Sequence, residues 1–523
     1  MRKKLLALFS FILILAALRM LYLYHSRIFA AVLPGVTDAS KVEGIVVPAD
    51  ENTGIACDIK GFAKDGRYII FLPVRADISS LVLYPTDSEG HRLERIVHDF
   101  SKEELIIAAA LPVSVMKSDL PCVEVEFVKN GGSLEEVEDS KDHSVYAFGN
   151  LTVTCSDETA DSLGCDPVVK SRDRNMGQRG SVALRGHGNA SWLLDKKSYN
   201  LELEAGSDLL SMGSAEKWIL LANSVDKTLI RNRVFYRLAE DCGLKYTPEV
   251  RQTDLFIDGE YRGCYSLAEA VEAAPGRIDI APGRDFLYRW GLPGPEAHQL
   301  PFMMFRDELT NVVELKSLKD VSSQRKGLDI AFEMMNAIRR TDDESYLDLI
   351  DLESWARYYW VQEFSKNTDA TSRSVYTIWR EDTGRMEMSP VWDMDQTAGV
   401  VEPFERPADY LYPTEWAVRH EEWYVPLFEH PSFENEVKRI YSEGGIDLAF
   451  DRCAGYVSEA AAEVKNGAVM NFTRWDVMGE PENNQIVRWM GESTLDTQTQ
   501  WLEIWVAQRR DWIKEEMANE TLE

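Results

Sequence analysis

One stretch in the C-terminal half of the chain constrains its folding more than any other. Residues 375–379 (VYTIW) combine β-branched and aromatic side chains, which favour a β-strand. The sequence EDTG at 381–384 is typical of a turn. Residues 386–391 then return as a second strand, in which Pro390 indicates an exposed edge or a strand end. This pattern predicts a β-hairpin.

Acidic residues flank the open end of this predicted hairpin. Asp369 precedes the first strand, with Asn367 beside it, whereas Asp393 and Asp395 follow the second strand. Because antiparallel pairing brings the two ends of a hairpin together, we expect Asp369 to lie near the other two acids. Clustered carboxylates repel one another unless a cation or a proton lies between them, and oxygen ligands of this kind suit Mg²⁺ or Mn²⁺. The alternative is that these acids only cap turns and helices on the surface of a very acidic protein.

The charge of the chain bears on its partners. The 523 residues include 87 Asp and Glu against 57 Lys and Arg, which gives a net charge of -30. A nucleic-acid-binding protein usually presents a basic surface, so nucleic acid is not expected as a partner. The length favours two or three domains.

The first 34 residues predict a signal peptide or a membrane anchor. Met1 and three basic residues precede an apolar run at 5–18, and a second run follows Arg19 to Tyr24. Together these runs approach the ~20 residues that span a bilayer. Because no clean cleavage site follows, we favour an uncleaved single-pass anchor that leaves the bulk of the chain outside the cell.

The region from 41 to 140 predicts an all-β, sandwich-like module. Turn-forming residues separate short apolar segments at the spacing that is typical of a sandwich. The candidate strands lie at 44–47, 68–72, 80–84, 105–108 and 122–127. The seven cysteines are scattered and include no C-x-x-C pair, which argues against a zinc ribbon. A disulfide between Cys155 and Cys165 would close a short loop.

Two further segments lie upstream of the hairpin. Glycines at 186 and 188 permit a tight turn before a strand that begins near Lys197, an arrangement that can hold nucleotide phosphates but is more often a plain hairpin. A helix is predicted from Asp226, a good N-cap, to Gly243, a good stop signal. A hairpin turning at Asp258 follows. Helices are then predicted at 326–340, at 352–364 and through most of the chain after the acid-bearing hairpin.

These segments resemble the CotH kinase family, named for spore coat protein H. The resemblance extends over about residues 145–515, and the blocks occur in the same order as in the family. The blocks are Arg185-Gly-x-Gly-Asn with Trp192 and Lys197-Ser-Tyr, the LLANxxDKxLxRN block ending at Asn232, Gly-Glu-Tyr-x-Gly-x-Tyr from Gly259, and Val-Trp-Asp-Met-Asp after Pro390.

The resemblance implies an α+β fold, with a two-lobed, divergent protein-kinase-like domain behind the β module and the anchor. It implies ATP and Mg²⁺ or Mn²⁺ as cofactors, and a surface or spore coat protein as the substrate. Carried over residue by residue, Asp369 is the catalytic acid, and Asp393 binds metal together with Asp395 and Asn367. The nucleotide-binding residues are Arg185, Lys197 and Glu269.

The sequence departs from the family pattern at two positions. His187 stands where arginine is frequent, and Ser374 stands five residues after Asp369, where spore coat members have asparagine. Two classes of function therefore remain open. One is an exported kinase acting on Ser or Thr of a surface or coat protein. The other is a non-catalytic envelope or coat assembly protein built on a degenerate kinase fold.

Overall fold

The computed structural model describes residues 31–32, 39–107, 111–171, 180–291, 299–302, 311–316, 321–400, 410–478 and 493–519. Sheets and helices are both present in quantity, which confirms the α+β prediction. The predicted anchor at 1–34 lies outside the described residues except for Ala31–Val32. Among the helices of the described ranges, none combines the length and the apolar character needed to cross a bilayer.

The N-terminal part forms two small sheets around one core. Its strands are β1 (Ala31–Val32), β2 (Gly44–Val47), β3 (Ile59–Lys60), β4 (Phe62–Lys64), β5 (Arg67–Leu72), β6 (Leu81–Thr86), β7 (Ile96–His98), β8 (Leu105–Ile107) and β9 (Leu111–Lys117). One sheet has the order β1-β8-β9-β5-β4 and the other β3-β2-β6-β7. Val47, Leu83 and Ile70 from the two sheets share this core and are fully buried.

The central part is a single eight-stranded sheet. Its strands are β10 (Cys122–Phe127), β11 (Ala147–Thr154), β12 (Val168–Lys170), β13 (Val182–His187), β14 (Ser198–Asp208), β15 (Ser214–Leu221), β16 (Val250–Ile257) and β17 (Glu260–Glu269). The order is β10-β16-β17-β15-β14-β13-β11-β12, and an additional pairing of β10 with β11 closes seven of the strands into a ring. Three helices accompany this sheet: α1 (Leu134–Asp139), α2 (Asp157–Leu163) and α3 (Arg231–Asp241).

Strand β10 is the link between the two parts. Its sequence predicts a strand of the N-terminal module, but the strand pairs in parallel with β16 and antiparallel with β11. Both of its faces are covered, since Val123 and Val125 are fully buried and so is Cys122 on the other face. The ring of Tyr261 in β17 also stacks on Phe71 of β5 at 4.6 Å between centroids. The two parts therefore share buried surface, and the boundary near residue 140 stays a prediction.

The C-terminal part combines a five-stranded sheet with most of the helices. Its strands are β18 (Phe286–Gly291), β19 (Gln299–Phe302), β20 (Asn311–Leu315), β21 (Val375–Arg380) and β22 (Arg385–Met388), in the order β19-β20-β18-β21-β22. Its helices are α4 (Val321–Arg339), α5 (Leu352–Ser365), α6 (Tyr424–Phe428), α7 (Pro431–Glu443), α8 (Ile446–Arg474) and α9 (Leu495–Ala518). The predicted hairpin is thus confirmed as β21 and β22. Short 3₁₀ helices lie at Ala39–Lys41, Ala49–Glu51, Ala190–Leu193, Ser345–Asp348 and Val418–His420.

Two local predictions need correction or comment. The helix expected from Asp226 begins instead at Arg231, because the Asp226 carboxylate accepts hydrogen bonds from the backbone N–H groups of Thr228 and Arg231 and so closes a turn before the helix. All seven cysteines are free thiols, and the thiols of Cys155 and Cys165 lie in hydrogen-bonding contact.

Asp254 makes the stability of the fold depend on pH. Its buried carboxyl accepts hydrogen bonds from the hydroxyls of Ser118 (2.6 Å) and Tyr261 (2.7 Å), and burial raises its pKa to about 6. Because the folded state holds this proton more tightly than the unfolded chain, the contribution to the free energy of unfolding is complete below pH 3.8 and is lost as the pH rises through about 6. For Asp254 the difference between the folded and unfolded pKa values corresponds to about 3 kcal/mol of stability.

We therefore expect Asp254→Asn to remove a pH-dependent loss of stability that the wild type shows between about pH 4 and pH 6.5. Denaturant unfolding of both proteins across this range measures the difference. Asp161→Asn, at an exposed position of α2, is the control and should follow the wild type. Parallel curves for wild type and Asp254→Asn would contradict the expectation.

Candidate functional site

The three predicted acids interact electrostatically at the open end of the hairpin. Asp369 lies in the turn region after α5, and Asp393 and Asp395 follow β22. Burial raises the pKa of Asp395 well above its ordinary value, and the negative charges of Asp393, Asp226 and Asp369 raise it further. These carboxylates are therefore electrostatic neighbours. Asp226, which the sequence suggested only as a helix cap, is a fourth member of the group.

Asp393 occupies an unusual backbone position between two hydroxyl groups. Its φ of 62° lies in the left-handed region, which non-glycine residues rarely adopt. The Ser374 hydroxyl donates a hydrogen bond to its Oδ2 at 3.1 Å, and its own N–H points to the Tyr236 hydroxyl at 3.4 Å. Burial raises the pKa of Asp393, while the Ser374 hydrogen bond and the charges of Arg289 and Arg373 lower it in part. Ser374 thus contacts the acid to which the sequence gave a metal-binding role.

Helix α3 holds the acid-bearing turn from the side of the eight-stranded sheet. The Asn232 side-chain oxygen accepts a hydrogen bond from the Met394 N–H at 2.8 Å. Arg231 donates from Nε to the Thr397 carbonyl at 3.0 Å, and it forms a fully buried ion pair with Asp226. One face of α3 and the preceding turn therefore fix residues 393–398 through polar contacts.

Asn367 joins the two acid-bearing segments. Its Oδ1 accepts a hydrogen bond from the Asp369 N–H at 2.9 Å, and its Nδ2 donates to the Met394 sulfur at 3.4 Å. The side chain is buried. Nearby, the Arg373 guanidinium lies 3.8 Å from the Asp369 carboxylate. Asn367 therefore sets the relative position of the Asp369 segment and the turn that carries Asp393 and Asp395.

The glycine turn faces the same region from the opposite sheet. The imidazole of His187 is hydrogen-bonded to the Asn200 side chain at 3.2 Å and lies edge-on to Trp392, with 6.4 Å between ring centroids. Burial lowers the pKa of His187 to about 4, so the ring is neutral at pH 7. A Cβ on Gly186 would lie 2.4 Å from the His143 ring, so this position requires glycine. Arg185 pairs with Glu202 at 3.3 Å.

The two lysines after the glycine turn are held by backbone carbonyls. Lys197 donates to the Trp192 carbonyl at 2.8 Å and to the Leu194 carbonyl at 3.0 Å, and its ammonium lies 5.0 Å from the centroid of the Trp192 ring. Lys196 is buried and donates to carbonyls on two neighbouring segments, and burial lowers its pKa to about 8. The Lys197 ammonium is thus directed to its own loop.

Glu269 stands at the end of β17. Its carboxylate forms an ion pair with Arg277 and accepts the Glu249 N–H at 2.9 Å. It lines a cavity of about 650 Å³ that Tyr236 also borders. Within the described ranges, these contacts occupy the Glu269 carboxylate, and none of them is with the acids that follow the hairpin.

The donor set around Asp393 fits a hard divalent cation. Two carboxylates of raised pKa and a serine hydroxyl are oxygen ligands, and a cation would relieve the mutual repulsion of the acids. In the part of the chain that the structure describes, no three His, Cys, Asp or Glu side chains are arranged to hold a metal by themselves. Magnesium in phosphate chemistry usually takes one or two carboxylates and completes its shell with phosphate and water. The residues therefore suit a cation shared with a phosphate-bearing ligand.

Comparison with known protein families gives a match for this chain. The family model described as CotH kinase protein matches residues 184–513. The match includes the glycine turn, α3, the hairpin and both acid-bearing segments. A search of curated proteins finds no match.

Proposed function

The chain belongs to the CotH kinase family, whose model matches residues 184–513, and from this premise we propose that it is an exported protein kinase. It transfers the γ-phosphoryl group of ATP to Ser or Thr of a surface or spore coat protein. The observation that carries the proposal is the pair of Asn367 hydrogen bonds to the Asp369 N–H and the Met394 sulfur, which hold Asp369 beside the turn that carries Asp393 and Asp395.

The proposed active site lies between two lobes. The eight-stranded sheet with α3 forms one lobe, and the five-stranded sheet with the later helices forms the other. The contact of His187 with Trp392 and the hydrogen bonds from residues 393–398 to α3 support this division, because each joins the two lobes beside the acids. The nucleotide would bind in the same region.

The residues take distinct parts in the proposed reaction. Mg²⁺ or Mn²⁺, held by Asp393 and Asp395, would neutralise charge on the phosphates. Asp369 orients the acceptor hydroxyl and takes its proton. The acceptor oxygen forms a bond to the γ-phosphorus, the bond from this phosphorus to the bridging oxygen breaks, and ADP leaves with the electron pair. Asn367 holds Asp369 in position relative to the proposed metal-binding turn.

The remaining assignments concern the nucleotide and the location of the protein. Arg185 and Lys197 border the glycine turn and stay candidates for the nucleotide, as does Glu269 near α3. The proposed location is the cell membrane, with the N-terminal 34 residues as the anchor and the enzyme outside. Sequencing the N-terminus of the protein in the membrane and medium fractions separates an anchor from a cleaved signal, because cleavage would leave a soluble product that begins near Val32.

A second candidate function is non-catalytic binding during envelope or coat assembly. The observation that favours it is Ser374, whose short hydroxyl contacts Asp393 at the position where spore coat members have asparagine. A serine offers one hydroxyl oxygen and less reach than an amide, so a second metal ion would be bound less firmly. For this second function we expect no phosphoryl transfer, whether or not the protein still binds nucleotide.

Mg·ATP is expected to raise the melting temperature of the wild type, and Asp393→Asn is expected to lose this rise. A ligand that binds only the folded state stabilises it by mass action, and the substitution removes a carboxylate ligand of the metal. Thermal melts with and without Mg·ATP measure the effect, and labelled ATP with an acceptor protein measures transfer. Asp382→Asn, in the exposed turn at the other end of the same hairpin, is the control. Equal rises for wild type and Asp393→Asn would refute the metal site.

A further inference from the structure

Arg289 occupies a central place on the face of the five-stranded sheet that borders the acids. On β18 it lies opposite Glu314 of β20 and Tyr376 of β21. Its neighbours Tyr288 and Trp290 point to the other face and are buried in the main core. Because side chains alternate along a strand, the Arg289 guanidinium leaves the core, and 20% of its side chain is exposed.

The guanidinium lies close to both sides of the proposed site. Its positive charge interacts with Asp393, which follows the hairpin, and with His187, in the glycine turn of the other sheet. Asp393 and His187 are separated by about 200 positions in the sequence, yet both lie within reach of the Arg289 charge. Tyr376, directly across from Arg289, is two residues after Ser374, which contacts Asp393.

Within the described residues, most of the donors of Arg289 have no hydrogen-bond acceptor. Its side chain makes one hydrogen bond within the described part of the chain, from Nη1 to the Glu314 carboxylate at 3.4 Å. A guanidinium carries five N–H donors, so this long contact leaves capacity for a further anion. Lys197 differs in this respect, because two backbone carbonyls already accept from its ammonium.

We propose that Arg289 forms a polyphosphate-binding subsite next to Asp393. The planar guanidinium matches two oxygens of a phosphate, and its charge persists at any physiological pH. The inference rests on the proposed function in taking the nucleotide's phosphates as the natural ligand. The chemistry that the subsite recognises is the phosphate chain, whether nucleotide-bound or free.

Binding measurements with three probes test this subsite. The probes are Mg·ATP, Mg-tripolyphosphate and adenosine, titrated calorimetrically at fixed ionic strength into wild type, Arg289→Met, Lys197→Met and Arg385→Met. Arg385 is an exposed arginine on β22 of the same sheet and serves as the matched control. Arg289→Met should weaken both phosphate probes about tenfold or more, leave adenosine unchanged, and exceed the effect of Lys197→Met. Arg289→Lys should recover part of the loss.

The outcomes separate the subsite from the kinase proposal. If tripolyphosphate binding depends on Arg289 but no protein substrate is phosphorylated, the kinase proposal fails and the subsite stands. The subsite proposal is overturned if Arg289→Met binds both phosphate probes as tightly as the wild type. It is also overturned if Lys197→Met loses more phosphate affinity than Arg289→Met, or if the wild type binds neither phosphate probe. If Arg289→Met does not fold, the comparison of Arg289→Lys with Arg385→Lys decides, since only the former should weaken tripolyphosphate binding.

Discussion

Asp369→Asn is expected to lower the turnover number for phosphoryl transfer by about 10²- to 10⁴-fold. The amide keeps the shape and the hydrogen-bonding capacity of the side chain but cannot take up the proton of the acceptor hydroxyl. The Asp369 side chain is 13% exposed, and its backbone N–H is fixed by Asn367, so the substitution should leave the loop in place. Steady-state kinetics with labelled ATP and Mg²⁺ measure the loss.

This expectation is specific because the metal-binding turn remains intact in the variant. The affinity for Mg·ATP should change little, which separates Asp369→Asn from Asp393→Asn. Asp382→Asn should behave as wild type in both turnover and affinity. Unchanged turnover with weakened ATP affinity would assign Asp369 to the nucleotide instead of the acceptor. Transfer that persists undiminished would exclude Asp369 as the proton acceptor.

Arg509→Met is expected to lower the free energy of unfolding by about 3–5 kcal/mol. Arg509 of α9 and Glu363 of α5 form an ion pair at 2.7 Å with both side chains fully buried. Arg509 also donates to the Pro413 and Glu415 carbonyls, and Glu363 accepts the backbone N–H groups of Ala417 and Arg419. Burial lowers the pKa of Arg509 to about 10, so the guanidinium is charged at neutral pH. Removing one partner leaves a buried charge without compensation.

A double-mutant cycle distinguishes this mechanism from simple loss of packing. Glu363→Gln combined with Arg509→Met should destabilise by less than the sum of the single substitutions, because the double variant buries no unpaired charge. Arg510→Met is the matched control. The Arg510 side chain is 30% exposed and forms its ion pairs at the surface, where such pairs contribute less than about 1 kcal/mol to stability. Equal costs for Arg509 and Arg510 in denaturant unfolding would contradict the argument.

The sequence by itself determined the local elements and the acids of the candidate site. The β-branched strand, the EDTG turn and the returning strand predicted the β21–β22 hairpin, because hairpins depend on turn residues and on alternation within a few positions. With that hairpin in place, the proximity of Asp369 to Asp393 and Asp395 follows from chain geometry alone. The ordered blocks also carried enough information to identify the family, which the match over residues 184–513 confirms.

The tertiary structure decided which distant residues complete the site. Asp226, Asn232, Tyr236 and Arg289 meet the acid-bearing turn only because α3 and β18 pack beside it, and no local pattern encodes a contact across more than a hundred residues. Strand β10 shows the same limit. Its apolar run is compatible with either sheet. It pairs with β11 and β16 because this position buries both of its faces. Residue propensity and hydrophobic periodicity predict local secondary structure, because they depend on residues that are close in sequence. Contacts between residues that are distant in sequence depend on the packing of the whole core.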